Sequence, residues 1–346
     1  MSDQMIYTCT PRQAAKYMQE IVAAGLVPFL QSSPGMGKSA LMRQLAKNNN
    51  LALIDHRLST SPPEDLSGLP RFNEKGEAVF APFAELFPLD TTPIPEGKDG
   101  WLVFLDEFNS AKRDTQAASY KLILDRMTGQ RHLHANVAMA AAGNLATDKA
   151  IVNPLGNAMK SRVVTLEMVV SYEEWLYDVA IPQSYDPRII AFLSQYNSKL
   201  MDFNPNHMEK TFCCPRTWEF MDLLIRGNPV TIDRMPMYAG TITAGIAVEF
   251  VQFIAVFNTL IKIPQIMADP HCCPLPNDSS SKWATISSML EHVKENSFEA
   301  LSTYANRFSL DFRVLFFRSV MVRTPALRSH PAFRQAMVEL HRYLNG

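Results

Sequence analysis

The chain has 346 residues, 47% of them hydrophobic and 19% charged, a soluble globular composition with core enough for about two or three domains. A formal net charge of −1 argues against binding nucleic acid through a global positive field, although local patches stay open. Five cysteines, an odd number, and an N-terminus without a basic region followed by an apolar one point to a reducing cytoplasm rather than a secreted disulfide framework.

Thr10-Pro11 starts a helix, with Thr10 as N-cap and Pro11 in the first turn; the helix over Arg12 to Ala24 ends at Gly25. The apolar run Leu26 to Leu30 then reads as a strand, and Gln31-Ser-Ser-Pro-Gly-Met-Gly-Lys-Ser39 joins it to the helical pattern Ala40 to Ala46. A glycine-bearing turn between a buried strand and a helix N-terminus aims backbone N–H groups and the positive helix end at one spot, where a phosphate fits. Lys38 adds a point charge for the β- and γ-phosphates, and the Ser39 hydroxyl is a Mg²⁺ ligand in such loops. Ser32 stands where the pattern G-x-x-x-x-G-K-[ST] wants its first glycine. After the break at Asn48 to Asn50, Leu51 to Asp55 reads as a second strand, and alternating strands and helices favour a parallel sheet flanked by helices.

Between Thr60 and Gly100 the pattern loosens into Pro- and Gly-punctuated sequence with a hairpin expected over Arg71 to Phe80, taken as a functional insertion at about 61–90. Trp101 to Glu107 is an apolar run ending in two carboxylates, about seventy residues after the loop. Neighbouring strand residues point opposite ways, so Asp106 is assigned to Mg²⁺ with Ser39, and Glu107 to the attacking water. A helix over Ala111 to Met127 leads to a strand over Asn136 to Ala142, whose tip carries Asn144, an uncharged amide able to hydrogen-bond a γ-phosphate or the water. The strand Val163 to Met168 closes this half.

From Ser171 the signals are helical: Tyr172 to Ala180, Pro187 to Leu200, Pro215 to Ile225, and an apolar helix from about Met237 to Ile261. Glu249, Gln252 and Asn258 in that last run favour a buried amphipathic helix over a membrane span. Seven arginines between Leu301 and Gly346 (307, 313, 318, 323, 328, 334 and 342) read as the wet face of packed helices. Cys213-Cys214 and His271-Cys272-Cys273 lack the C-x₂-C spacing of a zinc site.

With these motifs assembled, the chain resembles the AAA+ ATPases, and within them the MoxR family of bacteria and their phages. Ser33-Pro-Gly-Met-Gly-Lys-Ser39 looks like the family's Walker A loop, so that Ser33, Pro34, Gly35, Met36, Gly37, Lys38, Ser39 and Ala40 would hold ATP. Leu102 to Glu107 looks like its Walker B and Ala142-Gly-Asn144 its sensor 1. Glu64-Asp-Leu-Ser-Gly68 resembles the opening of the clade's helix-2 insertion. Met159-Lys-Ser-Arg162 resembles the box whose arginine reaches a neighbouring subunit's ATP; Arg126 and Arg131 are alternatives for that role. Cys214-Pro-Arg-Thr217 resembles the sensor 2 helix, with Arg216 on the γ-phosphate.

The resemblance implies an α/β P-loop core over 1–170, an all-helical lid over 171–262 with sensor 2, and a helical C-terminal extension over 263–346. It further implies Mg-ATP hydrolysis by a homo-oligomeric ring, expected as a hexamer, in the cytoplasm, with no membrane insertion. The implied partner is a protein client, with a von Willebrand A-domain protein as one candidate. A DNA-directed motor or loader and a non-hydrolysing ATP-binding switch remain as alternative readings.

Overall fold

The computed structural model describes residues 7–83, 85–148, 152–206, 208–257 and 263–344. The chain divides into two compact units, Met1–Ser171 and Tyr172–Gly346. The first is an α/β unit whose six-stranded sheet has every pair parallel. Its strands are β1 (Thr8–Cys9), β2 (Val27–Gln31), β3 (Leu51–Arg57), β6 (Gly100–Asp106), β9 (Val137–Gly143) and β10 (Val163–Met168), in the spatial order β1-β10-β2-β9-β6-β3. Two short antiparallel pairs stand apart: β4 (Leu69–Phe72) with β5 (Ala78–Ala81), and β7 (Met127–Thr128) with β8 (Arg131–His132).

The central strands are apolar throughout because helices cover the sheet. Alternate residues Trp101, Val103 and Leu105 of β6 share one core with Val137, Met139 and Ala141 of β9, Val27 and Phe29 of β2, and Leu122 and Ile123 of α4 (Arg113–Leu124). The residues between them, Leu102 and Phe104, are equally buried. Helix α1 (Pro11–Ala23) packs on β2, β10 and β9 and helix α2 (Lys38–Asn48) on β3, β6 and β9, with Met18 and Met42 fully buried. Thr10 caps α1 as expected: its hydroxyl accepts from the Gln13 N–H, and the Gln13 side chain accepts from the Thr10 N–H. The parallel α/β fold followed by a helical region, expected from the alternation of elements, is the one observed.

The insertion carries a short α3 (Glu64–Ser67) and the β4–β5 hairpin, whose register is Leu69 opposite Ala81 and Phe72 opposite Ala78. Phe72 and Phe80 on this hairpin are largely exposed.

The second unit is helical. The apolar run expected as one helix from Met237 is two, α9 (Met235–Ile242) and α10 (Ala244–Phe257) among the described residues. Between them Thr243 has φ 74°, a left-handed conformation that a β-branched residue rarely adopts and that no helix can pass through. The expected end of that helix and the expected lid boundary at 262 lie outside the described residues. No described helix is long and apolar enough to cross a membrane.

The expectation of arginines lining a wet face is corrected by the helices α13 (Phe298–Ala305) and α14 (Leu310–Arg323) and the residues around them. Arg307 donates to the carbonyls of Pro270 (2.9 Å) and Cys273 (2.7 Å), and its guanidinium lies over Tyr304. Arg313 pairs with Glu339, Arg318 lies over Tyr177, and Arg323 donates to the Tyr185 carbonyl. Only tertiary packing supplies these acceptors, so a charge count could not find them. Arg328 and Arg334 are exposed. Of the cysteines, Cys213 donates to the Ile242 carbonyl, Cys214 is the N-cap of α8 (Pro215–Ile225), and Cys272 is exposed beside buried Cys273.

Phe104→Ala empties a fully buried position in the central strand and is expected to cost about 3–5 kcal/mol. A urea unfolding curve followed by circular dichroism checks it; an unchanged midpoint would contradict the packing described.

Candidate functional site

In a parallel sheet, loops at the carboxyl ends of the strands form the crevice where ligands sit. Here β9 lies between β2 and β6, so the loop after β2, the tip of β9 and the carboxylates ending β6 meet on one edge.

The loop turns through Gly35 (φ 77°) and Gly37 (φ 83°), conformations that glycine adopts without strain, and α2 begins at Lys38. Ser32, the departure from the phosphate-loop pattern, is fully buried and is not among the residues of positive φ, so a side chain is tolerated there. Its hydroxyl donates to the Ser33 carbonyl and accepts from Lys38. The Lys38 ammonium donates to the carbonyls of Ser32 (3.0 Å) and Ser33 (3.3 Å) and to Asn144 Oδ1 (3.1 Å). Loop and strand-tip amide, distant in sequence, are thereby joined. Ser33 and Pro34 are half-buried, Gly35 and Met36 buried, and Ala40 exposed in the first turn of α2.

The Ser39 hydroxyl lies 3.5 Å from Asp106 Oδ2. The other oxygen of that carboxylate accepts from the Glu107 N–H at 2.9 Å. A hydroxyl and a carboxylate at this spacing are oxygen donors of the kind Mg²⁺ takes, and the site fits that ion. Burial lifts the Asp106 carboxyl above its ordinary value, the carboxylates of Asp55 and Glu107 add to the lift, and the Glu107 N–H and Arg57 oppose it.

The strand alternation expected for the two carboxylates does not hold. Glu107 lies just past β6 with φ 54°, a left-handed turn that swings its side chain to the same partner as Asp106. Arg57 Nη2 is 3.9 Å from Asp106 Oδ2, and Arg57 Nε is 3.7 Å from Glu107 Oε1. Glu107 also accepts a hydrogen bond from the Ser59 hydroxyl.

Three residues of this site were missed by sequence reasoning. Arg57 and Ser59 follow from β3 running two residues past its expected end at Asp55, which sets Arg57 level with Asp106 on the neighbouring strand. Asn109 is the third: it is buried, its Oδ1 accepts from the Asn144 N–H (3.1 Å) and its Nδ2 donates to the Asn144 carbonyl (2.7 Å). A polar residue directly after buried Phe108 is the only local signal for it.

The three arginines considered for a neighbouring subunit's site have partners within the first unit. Arg162, after α5 (Asn157–Lys160), is exposed and donates to the Ala158 carbonyl (2.8 Å) and Ser161 Oγ (2.9 Å). Arg126 donates to the Val137 carbonyl, and Arg131 pairs with Asp90. Arg216 is exposed in the first turn of α8, in the helical unit.

No family model matches the chain, and no curated protein matches it. Among solved structures it is similar to NtrX from Brucella abortus, with 14% identity over 98% of this chain and 68% of that one and a TM-score of 0.36. It is similar also to a candidate ATPase from Cytophaga hutchinsonii, with 14% identity over 98% of this chain and 91% of that one and a TM-score of 0.37. Similarity of this size transfers no role.

Because the raised Asp106 value means the folded protein favours the neutral acid more than the unfolded chain does, ionisation of Asp106 costs stability at neutral pH. Asp106→Asn is therefore expected to raise the melting temperature in chelator at pH 7. The gain should shrink as pH falls through the raised value towards the ordinary carboxylate range near about 4. Melting curves across that pH range decide it, and a gain that grows with acid would reverse the assignment.

Proposed function

We propose that the chain is a Mg-ATP hydrolase of the AAA+ type, closest in character to the MoxR family, whose subunits assemble into a ring of six and remodel or activate a protein client. The observation that carries this reading is the meeting of Lys38 and Ser39, Asp106 and Glu107, and Asn144 on the carboxyl edge of one parallel sheet.

Lys38 and the loop through Gly35 and Gly37 bind the phosphates, and Ser39 with Asp106 would hold Mg²⁺. The metal, when bound, neutralises phosphate charge. Glu107 orients the attacking water and accepts its proton on a carboxylate oxygen, a task for which the Ser59 hydroxyl already holds it. Asn144, clamped by Asn109, presents its amide to the γ-phosphate or the water. Little covalent chemistry is asked of the protein, so positioning and charge neutralisation supply the rate. Arg216 serves as sensor of the subunit's own γ-phosphate. Arg162, exposed rather than paired with a carboxylate, is the arginine offered to a neighbour's site; Arg131 is held by Asp90. The residues at 171–262 act as lid and those at 263–346 as its extension.

A protein client in the cytoplasm, reached directly or through a von Willebrand A-domain partner, suits this reading better than DNA. Four tail arginines are engaged within the helical unit and do not form a basic surface.

Glu107→Gln should keep ATP binding while turnover falls by about 10²- to 10⁴-fold, the usual weight of a general base. Parallel binding and steady-state assays read this, and full turnover in the variant would remove Glu107 from the role. Arg162→Ala should lose about 10³- to 10⁵-fold in turnover, as for arginines supplied across an interface. Mixing it with Lys38→Ala subunits should restore part of the rate, and absence of rescue at every ratio would refute a finger in trans.

A further inference from the structure

Arg57 is not needed to hold a phosphate loop or a metal, yet it stands against both carboxylates. In the parallel pairing of β3 with β6 it is the direct partner of Asp106, so the two side chains leave the sheet side by side. Its Nη2 is 3.9 Å from Asp106 Oδ2, and that oxygen is also the one facing the Ser39 hydroxyl at 3.5 Å. Its Nε is 3.7 Å from Glu107 Oε1. Both separations exceed the roughly 2.7–2.9 Å of a charge-assisted hydrogen bond, so the guanidinium offsets one of the pair's two charges without being hydrogen-bonded to either. The side chain is 57% exposed, which leaves it free to swing towards solvent. Two residues back on the same strand face, Asp55 offers it another carboxylate.

We propose that Arg57 is the resident counter-ion of this site and competes with the divalent cation for Asp106, so that loading of metal and nucleotide displaces the guanidinium and takes a higher cation concentration than the carboxylates alone would need. The proposal rests on the reading of the site as a metal–nucleotide centre. Asp106, Glu107 and Arg57 together carry one negative charge, and without Arg57 they carry two. A unit positive charge a few ångströms from a divalent ion weakens its binding appreciably even in a wet site. Placed at the tip of β3, Arg57 gives the site this competitor from its own chain.

The test titrates Mn²⁺ into the full chain carrying ADP and reads free Mn²⁺ by electron paramagnetic resonance, a measurement independent of turnover. Arg57→Ala is expected to bind Mn²⁺ tighter by about five- to fiftyfold, the range set by one unit charge at high effective dielectric. Arg57→Lys, which keeps the charge, should stay near the wild type, and affinity for ADP in chelator should be unchanged in both. Unchanged or weaker Mn²⁺ binding by Arg57→Ala, with ADP binding and melting temperature intact, would overturn the proposal alone. So would Arg57→Lys behaving like Arg57→Ala. A wild-type chain that binds Mn²⁺ no better with ADP than without it would overturn the metal–nucleotide reading and the proposal together.

Discussion

An ammonium group that is partly withdrawn from water must find oxygen acceptors, and Lys38 finds them on two strands. The Ser32 and Ser33 carbonyls and the Ser32 hydroxyl belong to its own loop, and the Asn144 amide oxygen comes from the end of β9. This contact fixes the start of α2 against the tip of β9, and with it the direction in which Ser39 faces Asp106. It is possible because β9 runs between β2 and β6. The amide oxygen holds the ammonium in place at the tip of β9.

On the other side of the edge the balance is reversed. Asp106 is buried, Glu107 is close behind it, and Asp55 adds its charge from the neighbouring strand. Carboxylates gathered this way repel one another, and burial deepens the cost. Arg57 and the hydroxyls of Ser39 and Ser59 offset part of it. The edge therefore has a cationic side at the loop and an anionic side at β6, with neutral amides between.

What could be read from the chain follows from how local each feature is. The glycine loop at 31–39 and the Asp106-Glu107 pair are contiguous, so each pattern is written in neighbouring residues. The parallel sheet was legible because buried strands alternate with helical patterns over the first unit. Arg57, Ser59 and Asn109 were not legible, since each matters only through strand order: β3 beside β6, and the turn after β6 beneath the tip of β9. The direction of Glu107 was missed because it hangs on one backbone angle just past the strand. The break at Thr243 was missed for the same kind of reason, as an apolar run carries no mark of a left-handed residue within it. For the tail, composition could count arginines but could not foresee that Tyr185, Pro270 and Cys273 would turn carbonyls towards them.

The clamp on Asn144 has an evolutionary consequence. Gly143 packs so closely on Asn109 that a Cβ at position 143 would lie 2.1 Å from Asn109 Oδ1 and 3.0 Å from the Phe29 ring. A first substitution at 143 would push aside the side chain that holds both backbone groups of Asn144, and a first substitution at 109 would release them. Either single step passes through a loosened site, so drift at these two positions is open only to changes made together. Lineages descended from this chain would carry Gly143 and Asn109 as a linked pair, thirty-four residues apart in the gene and one van der Waals contact apart in the protein.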